Sequence, residues 1–118
     1  MAEAFANHYG GDVLTAFSAG LAPAPGVPQN TVRAMRELDL DVSGHMPRLY
    51  NPFEAGDWDI VINMSGYNLP GLPPKQVIEW MVNDPFGSSM DTYRMARTEL
   101  ERLVMNLILN LRRPPRKR

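Results

Sequence analysis

The run Ile60-Val61-Ile62, set between Asp57-Trp58-Asp59 and Asn63-Met64, constrains the fold most. Consecutive branched apolar residues leave neither face of a strand for water, so Asp57 to Met64 is expected in a parallel sheet covered on both sides. Parallel strands need helical crossovers, and the rest of the chain supplies helical patterns. Tyr93, Ala96, Leu100, Leu103, Leu107 and Leu111, widened by Val104 and Ile108, form the stripe of a long amphipathic helix from about Met90 to Arg113. Ser88 and Asp91 have the spacing of a capping-box variant at its start.

Other elements fit an alternation of helix and strand. Ala2 to Tyr9 repeats apolar residues at helical spacing and is followed by Gly10-Gly11, a helix-ending pair. Asp12 to Phe17 is rich in strand formers and ends on Ser18-Ala19-Gly20, which predicts a first strand. Pro23, Pro25 and Pro28 predict an extended connector, and Val32, Met35 and Leu38 mark a helix from about Gln29 to Glu37. Pro52 to Ala55 suits a single helical turn. Three prolines and two glycines make Ser65 to Pro74 a loop, and Val77 to Val82 reads as another strand. The order is helix, strand, helix, strand, strand, helix. Such an alternation ordinarily opens on a strand, and the first helix has no Ser, Thr, Asp or Asn before it as a cap. A strand and a ligand-cradling loop are therefore expected ahead of Ala2, outside this sequence.

Composition removes whole classes of chemistry. With 118 residues and 44% hydrophobic content, the chain suits one domain over residues 1–113, followed by a basic tail over 114–118. No run approaches the length of a membrane span and no basic signal-like start is present, so a soluble cytoplasmic protein is expected. The absence of cysteine excludes disulfides, thiolate metal sites and cysteine nucleophiles within these residues. Five of the twelve basic residues are Arg112, Arg113, Arg116, Lys117 and Arg118, yet so short a run without a supporting surface argues against nucleic acid as a partner. Asp39 and Asp41 suit turn residues better than a hard-metal site, and no Gly-x-Ser-x-Gly elbow, nucleotide P-loop or His-Glu-x-x-His pair is present.

Five short motifs occur in order: Met1-Ala2-Glu3-Ala4-Phe5-Ala6, Ser18-Ala19-Gly20, Asp41-Val42-Ser43-Gly44-His45, Asp59 to Met64, and Asp84-Pro85. Together they resemble the low-molecular-weight protein tyrosine phosphatase and arsenate reductase family. The resemblance implies an α/β, flavodoxin-like open parallel sheet with helices on both faces, here missing its first, central strand. In that family a phosphate-binding loop with a cysteine nucleophile and an arginine directly precedes the Met-Ala-Glu-Ala segment. The resemblance further implies Asp84 as the general acid, Phe86 and Tyr67 beside the substrate, and Ser18 and His45 as supports of the loop. It calls for no cofactor and no metal.

On this reading the chain is an N-terminally shortened, inactive form of an enzyme that hydrolyses phosphomonoesters, with a phosphorylated protein or small oxyanion as the complete parent's substrate. The alternatives are an arsenate reductase parent and a non-catalytic binding or regulatory protein. Met64 to Pro70 contains none of the extra cysteines of a thioredoxin-coupled reductase, and Ser65 stands where the family's phosphatases often have an acid. Arg48 lies far from the loop arginine's position and is expected at the surface. Removal of a central strand would expose edges at Asp12–Phe17 and Asp57–Met64, for which rearranged pairing or a homodimer is the expected remedy.

Overall fold

The computed structural model describes residues 1–22, 25–71 and 75–113. The expected basic tail at 114–118 lies outside the described residues. Helix α1 spans Ala2–Gly10, α2 Gln29–Arg36 and α3 Met90–Arg112, with a 3-10 turn at Pro52–Asp57. Strands β1 (Ile60–Asn63) and β2 (Gln76–Glu79) form a two-stranded parallel sheet in which Ile60 pairs with Gln76 and Asn63 with Glu79. This is an α/β fold with a small parallel sheet.

Helix α3 is the element on which the other two helices pack. Its buried positions are Tyr93, Ala96, Leu100, Val104 and Ile108, whereas Leu103 and Leu107 are half-buried and Leu111 is exposed. The core-facing stripe is thus rotated from the expected one toward Val104 and Ile108. Phe5 of α1 and Met35 of α2 meet Leu100, Val104 and Ile108 in one cluster. Each such fully buried side chain contributes ~1.5–3 kcal/mol relative to exposure. Ser89 caps α3, accepting from the Thr92 amide at 3.4 Å, so the cap lies one residue beyond the expected Ser88.

Ion pairs fasten α3 near both ends. Arg112 donates to Asp12 at 2.7 and 3.0 Å and to the Tyr9 carbonyl at 2.8 Å, which ties the end of α3 to the turn after α1. Arg94 and Arg97 both donate to Glu37 just beyond α2, and Arg97 also reaches the Ala34 carbonyl at 2.8 Å.

Gly10 ends α1 and Gly11 caps it at φ −60°, as expected of a helix-ending pair. Gly10 is a buried helical residue where a Cβ would lie only 2.7 Å from Ile108 Cγ1, so glycine is required by the close approach of α1 to α3. The segment Asp12–Phe17 is not a ladder strand. It begins in the turn over residues 11–13, and the Ala16 backbone is held by a side chain: its amide donates to Asn7 Oδ1 at 2.8 Å and its carbonyl accepts from Asn7 Nδ2 at 3.0 Å. Strand propensity without a neighbouring strand leaves an extended segment, followed among the described residues by an isolated parallel bridge from Gly20 to Leu49. β1 also differs from the expected fully covered strand, because Ile60, Val61 and Ile62 are half-buried.

Gly10→Ala is expected to lower stability by about 1 kcal/mol, since overpacking against Ile108 outweighs alanine's better helix propensity. Urea midpoints check this, and an unchanged or raised midpoint would refute it; adding Ile108→Val, which removes one of the two atoms in closest approach, should recover part of the loss. A second expectation concerns acid. The Arg94 and Arg97 guanidiniums pull the Glu37 carboxyl from 4.5 down to about 2. A folded-state pKa below the unfolded value gives stability that is complete above 4.5 and is lost as pH falls toward about 2. Glu37→Gln should therefore be less stable than the parent at neutral pH, with the gap closing across that acidic window in denaturation midpoints. A gap that stays constant with pH would contradict the ion-pair assignment.

Candidate functional site

The anchoring of α1 against α3 fixes where its first turn points. Glu3, the acidic residue of that turn, meets two side chains from distant segments. Ser18 Oγ donates to Glu3 Oε2 at 2.9 Å, and His45 Nδ1 lies 3.2 Å from the same oxygen. Ser18 Oγ and His45 Nε2 are 3.4 Å apart, which closes a triangle. Ser18 comes from the extended segment after α1. His45 comes from the loop after α2, where the Asp41 carboxylate accepts from the Ser43 amide at 2.9 Å and hydroxyl at 2.6 Å. Those two bonds hold the Asp41 carboxyl below its ordinary pKa. The Gly20–Leu49 bridge joins the two segments, with the Gly20 amide donating to Arg48 O at 2.9 Å and the Tyr50 amide to Gly20 O at 2.8 Å.

A serine, an imidazole and a carboxylate invite comparison with a nucleophilic triad, but the geometry is that of a tie. In a relay the base stands between hydroxyl and carboxylate; here the hydroxyl donates directly to the acid at the shorter distance. The triangle positions the first turn of α1 relative to two loops. Helix N-terminal amides carry partial positive charge and offer donors to an oxyanion, so holding that turn in place holds such a surface in place.

Arg48 is exposed, as expected of a surface residue, yet it is engaged. Its Nε donates to the Ser18 carbonyl at 3.2 Å and its guanidinium sits 5.6 Å from the Phe17 ring centroid. Phe17 in turn contacts the Trp58 ring at 5.5 Å between centroids.

Asp84, Phe86 and Tyr67 stand apart from the triangle: no hydrogen bond among the described residues joins them to it. Asp84 is exposed, and its Oδ1 accepts from the Phe86 amide at 3.0 Å in a turn whose geometry Pro85 favours. Phe86 is 67% exposed and Tyr67 72% exposed, so neither packs beneath its loop. The Tyr67 loop is organised by Asn63, the buried polar residue at the end of β1. Asn63 Nδ2 donates to the Tyr67 carbonyl at 2.7 Å, and its Oδ1 accepts from the Ser65 amide at 3.0 Å and hydroxyl at 2.7 Å. Gly66, at φ +78°, makes the turn between them.

Three participants were missed as individual site residues. Glu3 could have been found as an acid in the first turn of a helix, and Asn63 as a polar residue ending an apolar run. Arg48 carries no sequence signal, because its partners come from the segment after α1.

Comparison with known proteins supports one grouping. The pattern of the low molecular weight phosphotyrosine protein phosphatase family matches residues 1–117. A protein of Synechocystis sp. named glutaredoxin arsenate reductase is 32% identical over 94% of this chain and 87% of its own. A solved arsenate reductase in the reduced state superposes with a TM-score of 0.82 at 31% identity, covering 92% of this chain and 86% of that one. A solved protein tyrosine phosphatase shares the fold at a TM-score of 0.80 and 20% identity. With a family match over nearly every residue, and with the first turn of α1, Ser18 and His45 drawn together, the chain belongs to the low molecular weight phosphotyrosine protein phosphatase family, in which the arsenate reductases are its relatives.

Proposed function

We propose that these residues form the supporting and leaving-group side of a site for a tetrahedral oxyanion, and do not by themselves carry out thiolate chemistry. The observation that carries this reading is the Glu3–Ser18–His45 triangle, which fixes the first turn of α1 in a sequence without cysteine. Phosphomonoester hydrolysis of this type requires a thiolate to attack phosphorus, donors to hold the equatorial oxygens, and an acid to protonate the leaving oxygen. The exposed Asp84 is assigned the acid role. Phe86 and Tyr67, both exposed aromatics on loops, are assigned to the substrate's organic group. Ser18 and His45 are assigned to positioning. These 118 residues contain no cysteine, so they supply no thiolate of their own to that reaction.

A second reading takes arsenate in place of a phosphomonoester and is favoured by the names of the relatives at about one-third identity. The loop Met64 to Pro70 contains no thiol, so any reducing thiol in that reading is supplied by another molecule. No helix among the described residues is long and apolar enough to cross a membrane, and the cytoplasm is the proposed location.

The 118-residue protein is expected to give no turnover of p-nitrophenyl phosphate above buffer. Turnover abolished by Ser18→Ala would replace this reading with a serine nucleophile. Joined at its N-terminus to a strand and a Cys-bearing phosphate loop, the protein should gain turnover, and Asp84→Asn should then lower kcat by about 100-fold for a substrate with a poor leaving group. An unchanged kcat in that variant would remove Asp84 from the acid role.

A further inference from the structure

Strand β2 has an outer edge, opposite the one it shares with β1. The Trp80 amide donates to the Asn63 carbonyl at 3.1 Å and closes the β1–β2 ladder. In a parallel ladder alternate residues turn their backbone toward the partner, so Gln76, Ile78 and Trp80 face β1. Val77 and Glu79 therefore aim amide and carbonyl the other way, where no ladder lies among the described residues. Lys75, just before the strand, donates its amide to the Trp58 carbonyl at 3.4 Å, and no backbone amide among the described residues takes its carbonyl. This edge belongs to neither Asp12–Phe17 nor Asp57–Met64, and it does not depend on what precedes Ala2.

The side chains along this edge are complementary to themselves. Lys75, Val77 and Glu79 fall on one face, because side chains alternate across a strand, and all three are exposed. Antiparallel contact about a two-fold axis at Val77 sets Val77 against its own copy and Lys75 opposite Glu79 at either end. An axis at Lys75 or at Glu79 would set like charge against like, so charge selects the register. Lys75 meets Asp59 at 3.3 Å, but the two side chains are 80% and 85% exposed, and so exposed a pair holds Lys75 too weakly to keep it from Glu79 of a second copy.

We propose that the outer edge of β2 is an association surface for a second copy of this chain, which pairs antiparallel about a two-fold axis at Val77 and joins the two sheets edge to edge. Val77 of each protomer exchanges amide and carbonyl bonds with its counterpart, and the Glu79 amide of each donates to the opposing Lys75 carbonyl. The contact is isologous, so it closes at a dimer and leaves no β2 edge on which a filament could grow. With only four residues in the strand, the interface lies at the low end of specific contacts, and the dimer has a dissociation constant on the order of 100 μM. No residue from Lys75 to Glu79 takes part in the oxyanion reading.

Sedimentation velocity of the 118-residue protein at rising concentration is expected to show a monomer passing to a dimer. Lys75→Glu and Glu79→Lys, each alone, put like charges together at both ends of the pairing and should weaken association about 10-fold. An equimolar mixture of the two variants should regain it, because each protomer then meets the opposite charge. Val77→Pro removes an outward amide that the β1 ladder does not use, and should sediment as a monomer. A parent protein still monomeric at about 1 mM, single charge variants as dimeric as the parent, a mixture no more dimeric than its components, or a dimer that survives Val77→Pro would each overturn the proposal. So would a monomer whose Val77 and Glu79 amides gain exchange protection only when an extended peptide is added, which would give the edge to a foreign strand. Each of these results leaves the Asp84 and Ser18 tests untouched.

Discussion

The contact of α1 with α3 at Gly10 and Ile108 is the constraint from which much else follows. With no side chain at Gly10, the two helices approach closely enough for Phe5 to reach the cluster of Leu100, Val104 and Ile108. Arg112 then locks the far end of α1 through Asp12 and the Tyr9 carbonyl. Close packing and a two-pronged ion pair act on the same end of one short helix. A nine-residue helix is marginal alone, so its position is set by this tertiary contact rather than by propensity.

The other end of that helix bears the functional consequence. Fixing α1 along α3 decides where Glu3 projects, and Glu3 gathers Ser18 and His45 from segments 15 and 42 residues away. The core and the candidate site are therefore joined through one rigid rod, with the apolar contact at its C-terminal end and the polar triangle at its N-terminal end. The Tyr67 loop is built differently. It hangs on the buried Asn63 amide, whose side chain substitutes for the backbone bonds that a tight loop cannot make to itself.

How far the sequence could be read depended on whether a feature was local. Helices α1, α2 and α3, the turn at Pro52 and the two paired strands fall close to where periodicity and proline placement put them. The exact face of α3 did not follow, because Leu103 and Leu107 match the helical period as well as Val104 and Ile108 do, and only the positions of α1 and α2 separate them. Asp12–Phe17 has the composition of a strand, but composition cannot report whether a partner lies alongside. The motifs at Ser18 and His45 were visible through family resemblance. Their shared partner Glu3 was not singled out, because a hydrogen bond between segments so far apart leaves no trace in spacing. Arg48 over Phe17 was invisible for the same reason.

The carboxylates just ahead of β1 have a consequence for the chain at high concentration. An uncovered strand edge is a template on which identical molecules can stack, and β-rich stretches such as Ile60-Val61-Ile62 are the usual seeds. Asp57 and Asp59 both lie just ahead of that stretch, so two molecules aligning like edges in parallel register would bring like charges together. Asp57 and Asp59 thus act as gatekeepers against self-propagating assembly, and they do so most weakly in high salt, where their charge is screened.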